Sequence, residues 1–362
     1  MSKKSKLTLI VDGNWLLMSR FSVISMRYNS DEEMCKELQL LMLKSVNRVL
    51  KTFPDIDNLI FVSDGGSWRA NLDIPQYIYN DLEEDQPAKY KGQRHLDEQF
   101  NWDMIFAYYE NLIEVLSNNK ITTCRVQNIE GDDWCWYWST KLNQEGSNVI
   151  IWSMDKDLTQ LVRTNDQTGV FTVCWNDKTG LTCEKKDQEE DPIQFFFNDL
   201  SKENNNRIFD HIANKCKNVN PIVPKEVIID KIIRGDKGDN IFPIILKKAK
   251  NEETGKKFRV STKDIDFNLN LNNEDDVKNY IHNLVTSKKY FGKINNNKSE
   301  EDICDHFKYN YKLVTLTEEN YPEDILESMN SYIGYSINNS VAEPLAYLTA
   351  KNSNMTDILD NI

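Results

Sequence analysis

The sequence predicts an α/β fold, with a mostly parallel central sheet flanked by helices and a mainly helical C-terminal region behind it. Over residues 1–175, short β-rich apolar runs alternate with stretches whose apolar residues recur at helical spacing, the pattern of repeated βαβ units. Beyond residue 175 the periodicity becomes almost wholly helical. The expected division is therefore an α/β core at 1–175 and a mainly helical unit at 176–362.

The first strand is the run Leu7-Thr-Leu-Ile-Val11. A helix over 32–52 follows, because Leu38, Leu41, Met42, Val46 and Val49 fall on one face, and Leu59-Ile-Phe-Val-Ser63 is the next strand. A helix over 102–116 leads to a strand at 121–126, and a helix over 131–142 leads to one at 148–153. In that helix Trp134 and Trp138, spaced i and i+4, are core anchors, with Trp136 on another face. Residues 169–175 form a further strand. Helices are expected over 192–200, 225–234, 274–285 and 322–329, with Asn204-Asn-Asn206 and Asn295-Asn-Asn297 as solvated loops.

The chain has 362 residues, 40% hydrophobic and 28% charged, which supports a substantial core and excludes fibrous or wholly disordered classes. No apolar run approaches the roughly 18 residues of a membrane span, and the segment after Lys6 is too short for a signal peptide. Seven cysteines without a C-x-x-C pair point to neither a disulfide framework nor a zinc ribbon. An intracellular, cytoplasmic protein without a membrane partner is expected. Its net charge of −13, from 57 acidic and 44 basic residues, disfavours a polyanionic partner unless the acids are concentrated in one place.

They are. Asp12 ends the first strand, Asp64 the second, and Asp155 and Asp157 follow the strand at 148–153. Strand ends of a parallel sheet converge on one edge, where ligands bind. Glu130, Asp132 and Asp133 open a helix, and Asp236 and Asp239 lie on the glycine-bearing turn Gly235-Asp-Lys-Gly-Asp239. Singly these are ordinary cap and turn residues. Nine carboxylates gathered together would repel one another unless a cation were bound. Oxygen ligands without accompanying His or Cys favour Mg²⁺ or Mn²⁺, and the four histidines match no ligand spacing. Setting the nine acids aside leaves a net −4 for the remainder, so the acidity is largely a property of one site.

Six ordered pieces, Val11-Asp-Gly-Asn14, Ser63-Asp64 with Trp68-Arg69, Tyr90-Lys-Gly-Gln-Arg94, Ile129-Glu-Gly-Asp-Asp133, Ser153-Met-Asp-Lys-Asp157 and Gly235-Asp-Lys-Gly-Asp-Asn-Ile241, resemble the flap endonuclease and 5′ to 3′ exonuclease family. The likeness is to its phage-type members most of all, such as the ribonuclease H of T-even bacteriophages, and it covers about residues 7–245. It implies a PIN-like core, a helical arch near residues 70–105, and two Mg²⁺ ions for which Mn²⁺ can substitute. Asp12, Asp64, Glu130, Asp132 and Asp155 would hold the first ion. Asp157, Asp236 and Asp239 would form the direct or water-mediated shell of the second, and Asp133 shares the motif. Lys91 and Arg94, matching basic residues at the base of the arch, are the candidate catalytic side chains; Lys91 has the alternative of a plain phosphate contact. Arg20, Arg69 and Tyr90 are candidate nucleic-acid contacts.

Two departures matter. About twenty residues, including the acidic stretch Asp81–Asp85, separate Arg69 from Tyr90. The glycine-rich hairpin turn expected after Asn240 is replaced by Phe242-Pro-Ile-Ile-Leu-Lys-Lys248. Duplex binding then falls to Lys247 and Lys248, with Lys250, Lys256, Lys257 and Arg259, unless these form a simple solvated basic face. Tyr77, Tyr79 and Tyr90 are candidates for stacking on unpaired bases, with ordinary packing as the alternative for the first two. The resemblance implies phosphodiester hydrolysis on DNA with 5′ flaps or 5′ ends and on RNA–DNA hybrids, hence RNA primer removal in phage DNA replication, by a monomer with a single-stranded-DNA-binding protein as candidate partner. A non-catalytic nucleic-acid binder would be signalled by a lost ligand acid, and none is lost. A magnesium-dependent small-molecule phosphatase would place its D-x-D on the first strand, whereas here it lies at 155–157.

Overall fold

β1 (Leu7–Asp12), β2 (Asn58–Val62) and the later β4 (Asn148–Trp152) are buried at every residue. Strands covered on both faces carry uninterrupted apolar runs, which is why these three stand out in the sequence. The computed structural model describes residues 6–28, 30–53, 56–79, 87–119, 121–165, 167–176, 178–185, 218–245, 260–291 and 298–332. With β3 (Thr122–Cys124), β5 (Arg163–Thr164), β6 (Phe171–Asn176), β7 (Gly180–Glu184) and β8 (Val219–Ile222), the sheet has the order β3-β2-β1-β4-β6-β7-β8, and β5 pairs with β6. Pairing is parallel from β3 through β6, antiparallel at β5–β6 and β6–β7, and parallel again at β7–β8. The chain leaves β1 for β2 and β3 on one side and returns on the other as β4. The topological switch point therefore falls between the carboxyl ends of β1 and β4, where a crevice opens for ligands.

Among the described residues the helices are α1 (Gly13–Ile24), α2 (Asp31–Thr52), α3 (Gln76–Tyr79), α4 (Trp102–Asn118), α5 (Gly131–Gln144), α6 (Pro224–Arg234), α7 (Glu274–Thr286), α8 (Glu300–Val314) and α9 (Glu323–Ser331). Ser30 caps α2 by accepting from the Glu33 N–H, and Asp31, Glu32 and Glu33 fill its first turn, where negative charge is favoured. α1 was not foreseen. Leu16, Leu17, Phe21 and Ile24 are buried while Met18 and Val23 stay exposed, so its apolar residues trace no single stripe.

The described residues divide into two units. One comprises the chain to Gly66, Leu96–Ile222 and the segment from Tyr321; the other comprises Ser67–His95 and Val223–Asn320. This differs from the expected boundary at 175 in three ways. β7 and β8 extend the sheet past that point, residues 67–95 leave the α/β core, and the segment from Tyr321 returns to it. The return is physical: Tyr321 stacks on Trp136 with centroids 4.6 Å apart, Tyr332 meets Trp134 edge-on at 5.0 Å, and Tyr137 donates to Asn330 Oδ1. Trp134 and Trp138 are core residues, as expected.

In the second unit α6, α7 and α8 share a core that includes Ile229, Ile232, Ile281 and Phe307, joined by Ile78 and Tyr90. Buried Asn310 donates to the carbonyls of Ile232 and Phe242. The buried His306 ring is held far below its ordinary pKa by burial and then by Lys298, a structural histidine. The expected helix at 192–200 and both asparagine loops, like residues 80–86 of the expected arch, lie outside the described residues. Among the described residues no helix is long and apolar enough to cross a membrane, and the six described cysteines are free and buried.

Candidate metal centre

Asp12 is the last residue of β1 and also the N-cap of α1. Its Oδ1 accepts the Trp15 N–H at 3.0 Å and its Oδ2 accepts the Ser153 hydroxyl at 2.7 Å. The same Ser153 oxygen accepts the Asp155 N–H at 2.9 Å, and Asp155 Oδ1 in turn accepts the Asp157 N–H. Thus the loop after β4 is tied to the carboxylate after β1 across the switch point. On the β2 side, Asp64 accepts from Asn14 Nδ2 and from the Gly131 N–H. Asn14 Oδ1 receives Ser63 Oγ, the Asp64 N–H and the Tyr109 hydroxyl. A β-carbon at Gly13 would fall 2.4 Å from the Phe61 ring and from the Tyr109 oxygen, so only glycine lets α1 leave β1 at this point.

Burial pushes the Asp12 carboxyl from 3.8 up to about 7; the Ser153 and Trp15 hydrogen bonds oppose this, and the charges of Asp64 and Asp155 add to it. Cys135, one turn into α5, senses the same field. Burial first, and then Asp12, Asp132, Cys174 and Asp155, raise its thiol well above the ordinary value. Asp12, Asp64, Asp132 and Asp155 therefore share one electrostatic neighbourhood. Glu130, at the start of α5, is buried, and Asp132 is partly exposed. The clustered side chains offer carboxylate oxygens, which suit a hard divalent cation.

Asp133, the other acid of the motif, has a distinct setting. It is fully buried, its Oδ2 accepts the Glu130 N–H and its Oδ1 accepts the Tyr321 hydroxyl at 3.1 Å. Both hydrogen bonds fix the start of α5 and tie it to Tyr321. Asp133→Asn should therefore unfold more easily, by about 1–3 kcal/mol, while the ion affinity of the folded chain stays near wild type. Denaturant unfolding together with Mn²⁺ titration checks this.

In the second unit two sequence motifs lock together. Lys91, with φ of 55°, donates its N–H to the Asp239 carbonyl. Gln93 Nε2 donates to the carbonyls of Lys237 and Gly238, and Asn240 Nδ2 to those of Pro87 and Lys89. The acidic turn is held by the paired N–H and C=O groups of Asp236 and Ile241 and by Gly238 N–H donation to Asp236 Oδ1. Arg94 Nη2 lies 2.5 Å from Asp239 Oδ1, and Lys231 Nζ 2.6 Å from Asp236 Oδ2. Burial would raise the Asp236 carboxyl, but the Lys231 bond and charge with the turn's N–H groups outweigh it and leave it below its ordinary value. Of Gln93, Asn240, Lys231, Asn14 and Ser153, none assigned a role from sequence, all but Lys231 lie inside the six motifs, and that placement is their sequence signal.

The candidate nucleic-acid contacts differ in their surroundings. Tyr90 is buried among the apolar residues of the second unit, and the Lys91 ammonium lies 5.0 Å from its ring centroid. Arg69 is 2% exposed with its guanidinium over the Trp68 indole. Arg20 Nε donates to Ser45 Oγ, joining α1 to α2, and is partly exposed. Tyr79 is exposed. Lys247, Lys248, Lys250, Lys256, Lys257 and Arg259 lie outside the described residues.

The family model for the 5′-3′ exonuclease N-terminal resolvase-like domain matches residues 7–191. Among curated proteins, the chain is similar to the 5′-3′ exonuclease of Buchnera aphidicola subsp. Schizaphis graminum, 26% identical over 162 residues, or 45% of this chain and 50% of that protein. The counterpart from the Acyrthosiphon pisum subspecies is 25% identical over 164 residues, 45% and 51% of the two chains. The chain spans about half the length of these curated relatives. Among solved structures it is similar to the bacteriophage T5 D15 protein co-crystallised with metal ions and to the T5 D15 flap endonuclease in a pseudo-enzyme-product complex with DNA and metal ions. Each has a TM-score of 0.49 and 16% identity, covering 91% of this chain and 99% of that one.

Proposed function

Since the chain belongs to the 5′-3′ exonuclease family through its N-terminal resolvase-like domain, we propose that it is a divalent-metal-dependent, structure-specific 5′ nuclease hydrolysing phosphodiesters with two Mg²⁺ ions. The observation that carries this reading is the buried Asp12 carboxylate, tied to the loop bearing Asp155 and sharing its field with Asp64. Asp12, Asp64, Glu130, Asp132 and Asp155 are assigned to the first ion. Asp157, Asp236 and Asp239 are assigned to the second by motif resemblance. Bound ions would supply an activated water, neutralise the phosphoryl oxygens and stabilise the departing 3′ oxygen.

The chain's own groups do the rest. Ser153 and the Trp15 N–H aim Asp12, and Asn14 and the Gly131 N–H aim Asp64. Lys91 and Arg94 carry positive charge to the transferred phosphoryl group, Arg94 with a bidentate fork. Flapped or 5′-ended DNA and RNA–DNA hybrids are the substrates, primer removal in phage replication the setting, and a single-stranded-DNA-binding protein the partner of a monomeric enzyme; these finer readings rest on the motif resemblance.

One assay tests the proposal. With 5′-flap, nicked-duplex and RNA–DNA hybrid substrates, cleavage should be absent in EDTA, return with Mg²⁺ or Mn²⁺, and leave 5′-phosphate ends. Full activity in EDTA would remove the metal-dependent reading, and no cleavage of any substrate with Mg²⁺ would remove the nuclease.

A further inference from the structure

Lys231 sits in the last turn of α6, and its side chain is only 15% exposed. Its ammonium lies 2.6 Å from Asp236 Oδ2 and 3.6 Å from Asp239 Oδ2, so it bridges the two acids of the turn. Arg94 takes the other oxygen of Asp239 at 2.5 Å. The carboxylates are rigidly presented, since the turn is closed by the Asp236–Ile241 backbone pair and clasped by Gln93 and Asn240. Two tethered cations thus occupy oxygens that a divalent ion would need. An ammonium and a hard cation cannot share the same lone pairs, and a doubly charged ion at shorter range wins the contest once its hydration is replaced.

We propose that Lys231 is a built-in counter-ion for Asp236 and Asp239, which it holds in place while no metal is bound, and that a divalent cation entering the turn displaces it and detaches Arg94 from Asp239. This rests on the reading that these two acids hold an ion. A purely structural ion pair between Lys231 and the end of α6 would stay closed when the ion binds. Displacement has two consequences: ion affinity at the turn is held down by the competing ammonium, and the Nη2 end of Arg94, otherwise held by Asp239, is released when an ion arrives.

Two measurements on the full chain test it. In wild type, labelling of the Lys231 amine by an amidinating reagent, followed by mass spectrometry, should rise severalfold when Ca²⁺, a hard cation that need not support turnover, is added to EDTA-stripped protein. Mn²⁺ binding followed by electron paramagnetic resonance should show the weaker site tightening about tenfold in Lys231→Gln, because the competitor is gone. Unchanged or reduced labelling, or an unchanged weaker affinity in a folded variant, overturns the proposal. Should Lys231→Gln fail to fold, the wild-type labelling decides alone. A chain that binds no divalent ion would overturn the metal-dependent function and this inference together; one that binds ions with Lys231 still protected would overturn only the inference.

Discussion

Asp12→Asn is expected to lower single-turnover cleavage roughly a thousandfold or more, because a ligand charge is lost where phosphoryl charge must be neutralised, and to make the ion-free fold more stable at pH 8. The second effect follows from the raised carboxyl. In the unfolded chain this group ionises near 3.8, and in the ion-free fold near 7. Below 3.8 both states are protonated and burial of the neutral acid carries no charge penalty. Between about 4 and 7 the unfolded chain sheds its proton first, and folding stability falls as pH rises; above 7 the full penalty is present. Asparagine carries no such charge, so its advantage should be partial at pH 5 and grow to an order of 1–3 kcal/mol at pH 8, reduced by the imperfect fit of an amide to the Ser153 and Trp15 donors. Thermal unfolding in EDTA at both pH values measures it. Mg²⁺ should reverse the order at pH 8, since only wild type gains the ion. Retained turnover, or equal stability of the two proteins at pH 8 in EDTA, would contradict the role given to Asp12.

The second large effect concerns the clasped loop of the other unit. Lys91→Ala and Arg94→Ala should each reduce the saturating single-turnover rate by about 10²–10³, more than they weaken substrate binding, if their charges act on the transition state. Were they phosphate grips alone, affinity would fall, its salt dependence would become shallower by roughly one phosphate per residue removed, and the chemical rate would be unchanged. The Lys91 backbone is held at positive φ by its N–H bond to Asp239, and alanine inherits that conformation without new strain relative to lysine. Effects on rate can then be assigned to the lost ammonium. Binding over a salt series and rates at saturation separate the two roles, and unchanged rates in both variants would confine these residues to binding.

Much of the α/β core was legible in the sequence because buried parallel strands leave unbroken apolar runs, and because acids lie at the end of β1 and within three residues of the ends of β2 and β4. Other features were hidden for physical reasons. α1 buries Leu16 and Phe21 yet exposes Met18 and Val23, so it shows no period. β8 is the half-buried Val-Asn-Pro-Ile segment at 219–222, too short and too polar to signal a strand. The grouping of residues 67–95 with the helical unit depends on hydrogen bonds from Gln93 and Asn240 across about 150 residues of sequence, which local periodicity cannot report. Asp132 and Asp133 are neighbours, but a helix turns about 100° between them. Asp132 adds to the field felt by Cys135, while Asp133 reaches Tyr321. The paired acids in the motif do not reveal that the two face different surroundings.

The claim that the acids at the β1–β4 switch point form an ion site is tested most directly by anomalous diffraction from crystals of the full chain equilibrated with Mn²⁺ at pH 8. A manganese peak within direct-ligand distance of Asp12, flanked by Asp64 and Asp155 and absent from Asp12→Asn crystals, is the predicted result. No peak at Asp12 under saturating manganese, or a peak there that persists unchanged in Asp12→Asn, would contradict it.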